Sequence, residues 1–109
     1  MNIDELTARS EEASRLLGLL ANGNRLRILC ELHHGERSVS SLEEAIGLSQ
    51  SALSQHLAKL RAANVVSTRR EAQTIYYSIA DARTQQLLSL LYELFCKPQQ
   101  ADKPARRKR

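Results

Sequence analysis

The chain has 109 residues, 16 of them Lys or Arg against 12 Asp or Glu, with two Cys and no Trp. That length builds one compact domain and leaves no room for a second, catalytic one, and no apolar run approaches the ~18 residues that a membrane span needs. Two thiols are too few for a disulfide scaffold or an all-thiolate zinc site, and Met1 to Arg15 lacks the basic-then-apolar layout of a secretory signal; the expected setting is the cytosol, where thiols stay reduced.

Both prolines, Pro98 and Pro104, fall near the end, so residues 1–96 are free to be mostly helical. Asp4 to Leu20 predicts a first helix, with Leu6, Ala13, Leu16, Leu17 and Leu20 on one stripe and an interruption at Gly18. Asn22 caps a second helix running to about His34, where Gly35 stops it. Ser40 and Glu43 read as a capping box for a short third helix that ends at Gly47. Ser49 caps a fourth, from Gln50 to about Ala63. The period then changes. Val65 to Arg70 and Thr74 to Ile79 are β-branched or aromatic at intervals, and around Glu71-Ala72-Gln73 they predict a hairpin. Asp81 caps a last helix whose Leu87, Leu88, Leu91, Leu94 and Phe95 lead to Cys96. Residues 97–109 are expected to be a disordered basic tail, too polar to bury a core. The fold class is mostly α with one β-hairpin, in the order helix, helix, helix, helix, hairpin, helix.

The formal net charge of +4 is unevenly placed. Six cations and one anion in residues 97–109 give +5, and ten cations against eleven anions give residues 1–96 a charge of −1. Within that near-neutral body, Leu48 to Arg70 carries Lys59, Arg61, Arg69 and Arg70 and no acid at all. Such a stretch is what a phosphate-facing surface needs, although an ordinary solvated face explains the charge equally well. The tail's cations suit sequence-independent attraction to a polyanion.

More specific is the arrangement around Gly47-Leu48-Ser49, a short capped helix, a tight turn and a longer helix: a helix-turn-helix candidate. On the longer helix Leu53, Leu57 and Leu60 share one face. Gln50, Ser51, Ser54, Gln55 and Lys59 share the other. Solubilising faces are usually Lys and Glu; amides and hydroxyls instead suit base edges, Gln pairing bidentately with adenine. His56 is placed for phosphate or base contact, with packing at the helix edge as the alternative. The hairpin follows at once and carries Arg69, Arg70 and Gln73 at its tip, as a wing over a phosphate or minor groove. Together these features predict double-stranded DNA as partner. An enzyme has no support: no Cys-x-x-Cys pair, Gly-rich phosphate loop or nucleophile beside a base is present, and no cofactor is called for. A helical adaptor would leave the wing and the amide-rich helix without purpose.

The run LSQSALSQHLAKLR from Leu48 to Arg61 resembles the recognition-helix signature of the ArsR/SmtB family of winged helix-turn-helix repressors. LANGNRLRIL, from Leu20 to Leu29, is similar to that family's entry into its second helix, except that a proline is common where Gly23 or Asn24 stands. The resemblance spans residues 10–96. It implies a bacterial cytoplasmic homodimer, joined through its first and last helices, with two recognition helices on a two-fold-symmetric operator. On this reading residues 1–96 form a single DNA-binding and dimerisation domain.

Members of that family usually release DNA when a ligand binds. Ser38-Val39-Ser40 stands where thiolate metal sensors carry Cys-x-Cys, and no His follows His56. The one metal alternative is zinc on Cys30, His33 and His34, at i, i+3, i+4 on one helix, with Cys96 as a fourth ligand; the plainer reading makes the two imidazoles an exposed helix end. On the residues alone, Cys30 and Cys96 are best read as small buried hydrophobes. The resemblance points elsewhere, to the persulfide-responsive dithiol subgroup of BigR and SqrR type, with one Cys on the second helix and one on the last. Leu29-Cys30, Leu94-Phe95-Cys96 and TRREAQTI from Thr68 to Ile75 match it. It implies that a low-molecular-weight persulfide or oxidant links Cys30 to Cys96. Arg27, one turn before Cys30, and Lys97, beside Cys96, are expected to favour a thiolate.

Overall fold

The computed structural model describes residues 1–96; the predicted basic tail, Lys97 included, lies outside the described residues. Helix α1 (Ile3–Ala8) opens with Asn2, whose side chain accepts from the Glu5 N–H at 3.2 Å, and α2 (Ser10–Leu20) follows after a break at Arg9. The single helix expected over Asp4–Leu20 is therefore two, and Gly18 lies inside the second. Nothing in α1 is buried, so no core contact holds it in line with α2. The Arg9 guanidinium instead forks onto Glu12 at 2.8 and 3.1 Å.

Helix α3 (Gly23–His33) is capped as expected: the Asn22 side chain accepts from the Arg25 N–H at 3.0 Å, a contact worth about 1 kcal/mol in helices generally. After Gly35, at φ +142°, the chain forms a two-residue strand β1 (Arg37–Ser38) that alternation in the sequence did not reveal. Helix α4 (Val39–Ile46) starts earlier than predicted. Its cap is Ser38, accepting from the Ser41 N–H at 3.1 Å, because Ser38 ends the strand in an extended conformation; Ser40 sits in the first turn. Gly47 at φ +82° closes α4 through its N–H to the Glu43 carbonyl, 2.9 Å. Ser49 then caps α5 (Gln50–Ala62), accepting from the Ala52 N–H at 3.2 Å.

The hairpin pairs β2 (Val66–Glu71) with β3 (Thr74–Ile79), Glu71 opposite Thr74. Its loop is thus two residues, Ala72-Gln73, one shorter than predicted, and Ala72 takes φ +57° to make the turn. Strand β1 adds to the free edge of β3, giving an antiparallel sheet in the order β1-β3-β2. Helix α6 (Ala82–Phe95) starts at Asp81, which accepts from the Thr84 N–H (3.3 Å) and hydroxyl (2.8 Å); Thr84 is fully buried, and this bond satisfies its hydroxyl. Burial alone would raise the Asp81 carboxyl, but hydrogen bonds from Thr84 and Arg83 outweigh it and hold the group below the ordinary aspartate range. A lowered pKa means that this cap contributes fully above that range and is lost as pH falls from there through the lowered value.

One core joins the elements: Leu20 of α2, Ile28, Leu29 and Leu32 of α3, Leu42 and Ile46 of α4, the inner face of α5, Val65 and Val66 at the foot of the wing, and Leu88 of α6. Two arginines of α3 fasten its neighbours by their ends. Arg25 donates to the Leu19 carbonyl at 2.8 Å, and Arg27 to the Ile46 carbonyl at 3.0 Å. Both are last-turn carbonyls left over by helix geometry. Helix α6 contributes little to this core. Leu90, Tyr92, Leu94 and Phe95 stay exposed, as do Leu6 and Leu17 of α1 and α2, more apolar surface than a small monomer usually shows. Among the described residues no helix is long and apolar enough to cross a membrane.

Candidate nucleic-acid interface and cysteine pair

Helix α5 has two unlike faces. Leu53, Leu57 and Leu60 are buried, each removal from water worth roughly 1.5–3 kcal/mol, and they fix the helix's rotation. Gln50, Ser51, Ser54 and Gln55 are consequently exposed, together with Ala58, whereas Lys59 is exposed at the edge of that face, beside Glu12, Arg15 and Arg25. No Asp or Glu occurs in α5, and Lys59 and Arg61 have no ion pair among the described residues. His56 is placed differently. It is half-buried at the helix flank, and its Nδ1 stands 3.5 Å from Nη1 of Arg25, so the ring faces the α2–α3 junction rather than the open surface.

Charge at the wing is arranged otherwise than the sequence suggested. Arg70 and Gln73 are exposed near the tip, Arg70 donating to the Ala72 carbonyl at 3.2 Å. Arg69 is held. Its Nε and Nη2 fork onto both oxygens of Glu36 at 2.9 and 2.8 Å, its Nη1 lies 3.3 Å from Glu71, and its guanidinium sits 4.7 Å from the Tyr76 ring centroid. The hydrogen bond from Arg69 holds the Glu36 carboxyl below the usual glutamate range. Tyr76 was findable as the cross-strand partner of Arg69, given the hairpin register. Glu36 was not: it reaches the wing only because β1 pairs with β3.

Cys30, on α3, and Cys96, which ends α6, are both free and exposed, so neither is the core hydrophobe that the residues alone suggested. Partial burial of its sulfur pushes the Cys30 thiol up, with contributions from Cys96 and then Glu31. Arg27 does not supply the expected activation; its guanidinium is turned to the Ile46 carbonyl. Cys30 opens onto a groove between α3 and α6 shared with His33, His34, Leu88, Tyr92 and Glu93. The zinc set is not assembled there. His33 Nδ1 is engaged by Gln85 Oε1, and among the described residues no three His, Cys, Asp or Glu side chains come together to hold a metal ion.

A helix anchored by one face and polar on the other, set behind a tight glycine turn and flanked by a hairpin, defines a winged helix-turn-helix DNA-binding protein. A family model described as bacterial regulatory protein, arsR family, matches residues 22–68. The transcriptional activator HlyU of Vibrio cholerae is 45% identical over 100 residues, 92% of this chain and 93% of that protein; its reduced form has been solved and matches with TM-score 0.80 over 85% of this chain and 98% of that one. The transcriptional repressor BigR from Xylella fastidiosa matches with TM-score 0.85 at 39% identity, over 89% and 99%. A homodimeric winged helix-turn-helix DNA-binding domain from Mycobacterium bovis, of a possible ArsR-family regulator, matches with TM-score 0.72 at 34% identity, over 84% of each chain. This chain belongs to the ArsR family of transcriptional regulators, and the relatives it matches are regulators, not enzymes.

Proposed function

We propose that the protein is a homodimeric repressor of the bacterial cytoplasm that releases its operator when Cys30 and Cys96 become linked by a reactive sulfur species or another oxidant. The observation that carries this reading is that both thiols are exposed, one on α3 and one at the end of α6, the two helices that flank one groove. Both partners of the link are thus reachable from solvent and lie on different helices.

Gln50, Ser51, Ser54, Gln55 and Lys59 read base edges in the major groove, while Arg70, Gln73 and, once released, Arg69 meet the backbone or the minor groove. His56 acts from the flank of the same helix. The exposed leucines of α1, α2 and α6 meet their counterparts across a two-fold axis, and the homodimeric relative supports that assembly.

The chemistry balances without a cofactor. One cysteine thiolate attacks the outer sulfur of a persulfide R–S–SH, releasing R–SH and becoming Cys–S–SH. The second thiol attacks the inner sulfur of that group, hydrogen sulfide leaves, and a Cys30–Cys96 disulfide remains. Where both cysteines have first become persulfides, the same loss of hydrogen sulfide leaves a longer polysulfide link. Either link ties α3 to α6 and so alters the spacing of the two recognition helices, to which half-site binding is sensitive.

Reduced protein treated with glutathione persulfide, and separately with glutathione disulfide, tests this by intact and peptide mass. The expected product is a Cys30–Cys96 link, carrying extra sulfur only after persulfide, together with loss of DNA binding. Cys30→Ser and Cys96→Ser proteins should keep their DNA under the same treatment. Normal release by either variant, or two unmodified thiols in the wild type, overturns the reading.

A further inference from the structure

The wing carries two arginines, and the structure treats them differently. Arg70 has no carboxylate partner among the described residues. Arg69 has two, Glu36 from the loop after α3 and Glu71 from its own strand. With both acids folded onto it, the wing's four charges sum to zero, whereas α5 and its cations remain uncompensated. The Glu36 fork uses both carboxylate oxygens against Nε and Nη2. Two non-bridging oxygens of a DNA phosphate present the same geometry to a guanidinium. The fork is also exchangeable: Arg69 and Glu36 are half and about one-third exposed, and pairs in contact with water are weakly held. Tyr76 lies against the face of the guanidinium and leaves its edge to the anion.

We propose that Glu36 is an autoinhibitory contact that stands in for a DNA phosphate at Arg69 and gives way only when the wing is fully docked. This rests on the reading of the wing as a DNA contact. On a random sequence the wing is not seated, Arg69 keeps its carboxylate, and the protein gains nothing from that cation. On a cognate duplex, recognition by α5 brings a phosphate to the fork, and the exchange takes place. Breaking the fork is a cost met only on the docked duplex, so Glu36 holds down affinity there more than on a random sequence.

The test uses the full chain, a random 30-base-pair duplex, and a duplex selected by the wild-type protein from a randomised pool, each titrated by fluorescence anisotropy across a salt series. Glu36→Gln is expected to bind the selected duplex several-fold more tightly, since the fork no longer has to be broken, with a salt slope close to that of the wild type. Affinity for the random duplex, where the wing is not seated, should rise less, so that the ratio between the two widens. Arg69→Ala should lower the salt slope on the selected duplex and leave it unchanged on the random one, and should abolish the effect of Glu36→Gln in the double variant. If Glu36 merely braces the wing, Glu36→Gln binds both duplexes equally well or more weakly, and the proposal is overturned while DNA binding stands. A wild-type chain that selects no duplex overturns the DNA reading and this proposal with it.

Discussion

Helix α5 and the wing are neighbours in sequence and both carry cations, yet they present charge in opposite ways. The buried leucines of α5 turn its polar residues outward, and with no acid in the helix nothing competes with an incoming polyanion. The wing buries little beyond Val66, and the charge of Arg69 is taken up by two carboxylates and an aromatic ring. Counting charges along the chain cannot separate the two cases. What separates them is which carboxylates the fold delivers from elsewhere: among the described residues none pairs with Lys59 or Arg61 of α5, and Glu36 pairs with Arg69 of the wing.

Three substitutions sharpen that contrast. The largest effect is expected from Leu53→Ala, on the anchoring face of α5. Leu53 is fully buried, so its truncation should cost about 2–5 kcal/mol in urea unfolding; a loss well under that range would mean that this face does not set the helix's rotation. Gln55→Ala, on the exposed side, should leave stability nearly unchanged and weaken binding to the selected duplex by about 1–3 kcal/mol, with little change on random DNA. Equal affinity of Gln55→Ala and wild type for both duplexes would remove Gln55 from base reading. The smallest effect belongs to the wing tip. Ala72 holds φ +57°, a region that an L side chain enters at a cost, so Ala72→Gly should raise stability by about 0.5–1 kcal/mol. An unchanged or lower melting midpoint would show that the turn is not strained there.

Much of this was legible in the sequence because it is local. Asn22, Ser49 and Asp81 cap the helices they precede, each through a side chain reaching a backbone N–H three residues on. The faces of α5 follow from 3.6-residue periodicity, and the hairpin from its change to two. What escaped depends on contacts distant in sequence, or on the lack of them. Strand β1 is two residues long and exists only through β3. Its presence moved the cap of α4 from Ser40 to Ser38, and it brought Glu36 to Arg69. The break at Arg9 has no glycine or proline to announce it. For the cysteines, residue type favoured burial, and the resemblance alone pointed to a reactive pair. Arg27 sat at the right spacing to activate Cys30, but spacing does not reveal that a helix end elsewhere claims its guanidinium.

The stretch from His34 to Ser38 has a consequence for how the elements are joined. It begins as the last turn of the helix that bears Cys30, bends at Gly35, supplies Glu36 to the wing, pairs with β3, and finishes as the cap of α4. Five residues thus belong in turn to the thiol-bearing helix, the hairpin and the helix-turn-helix. Only these five residues separate the three, so the C-terminal end of α3, the hairpin and the entry to α4 are tied together by one short segment.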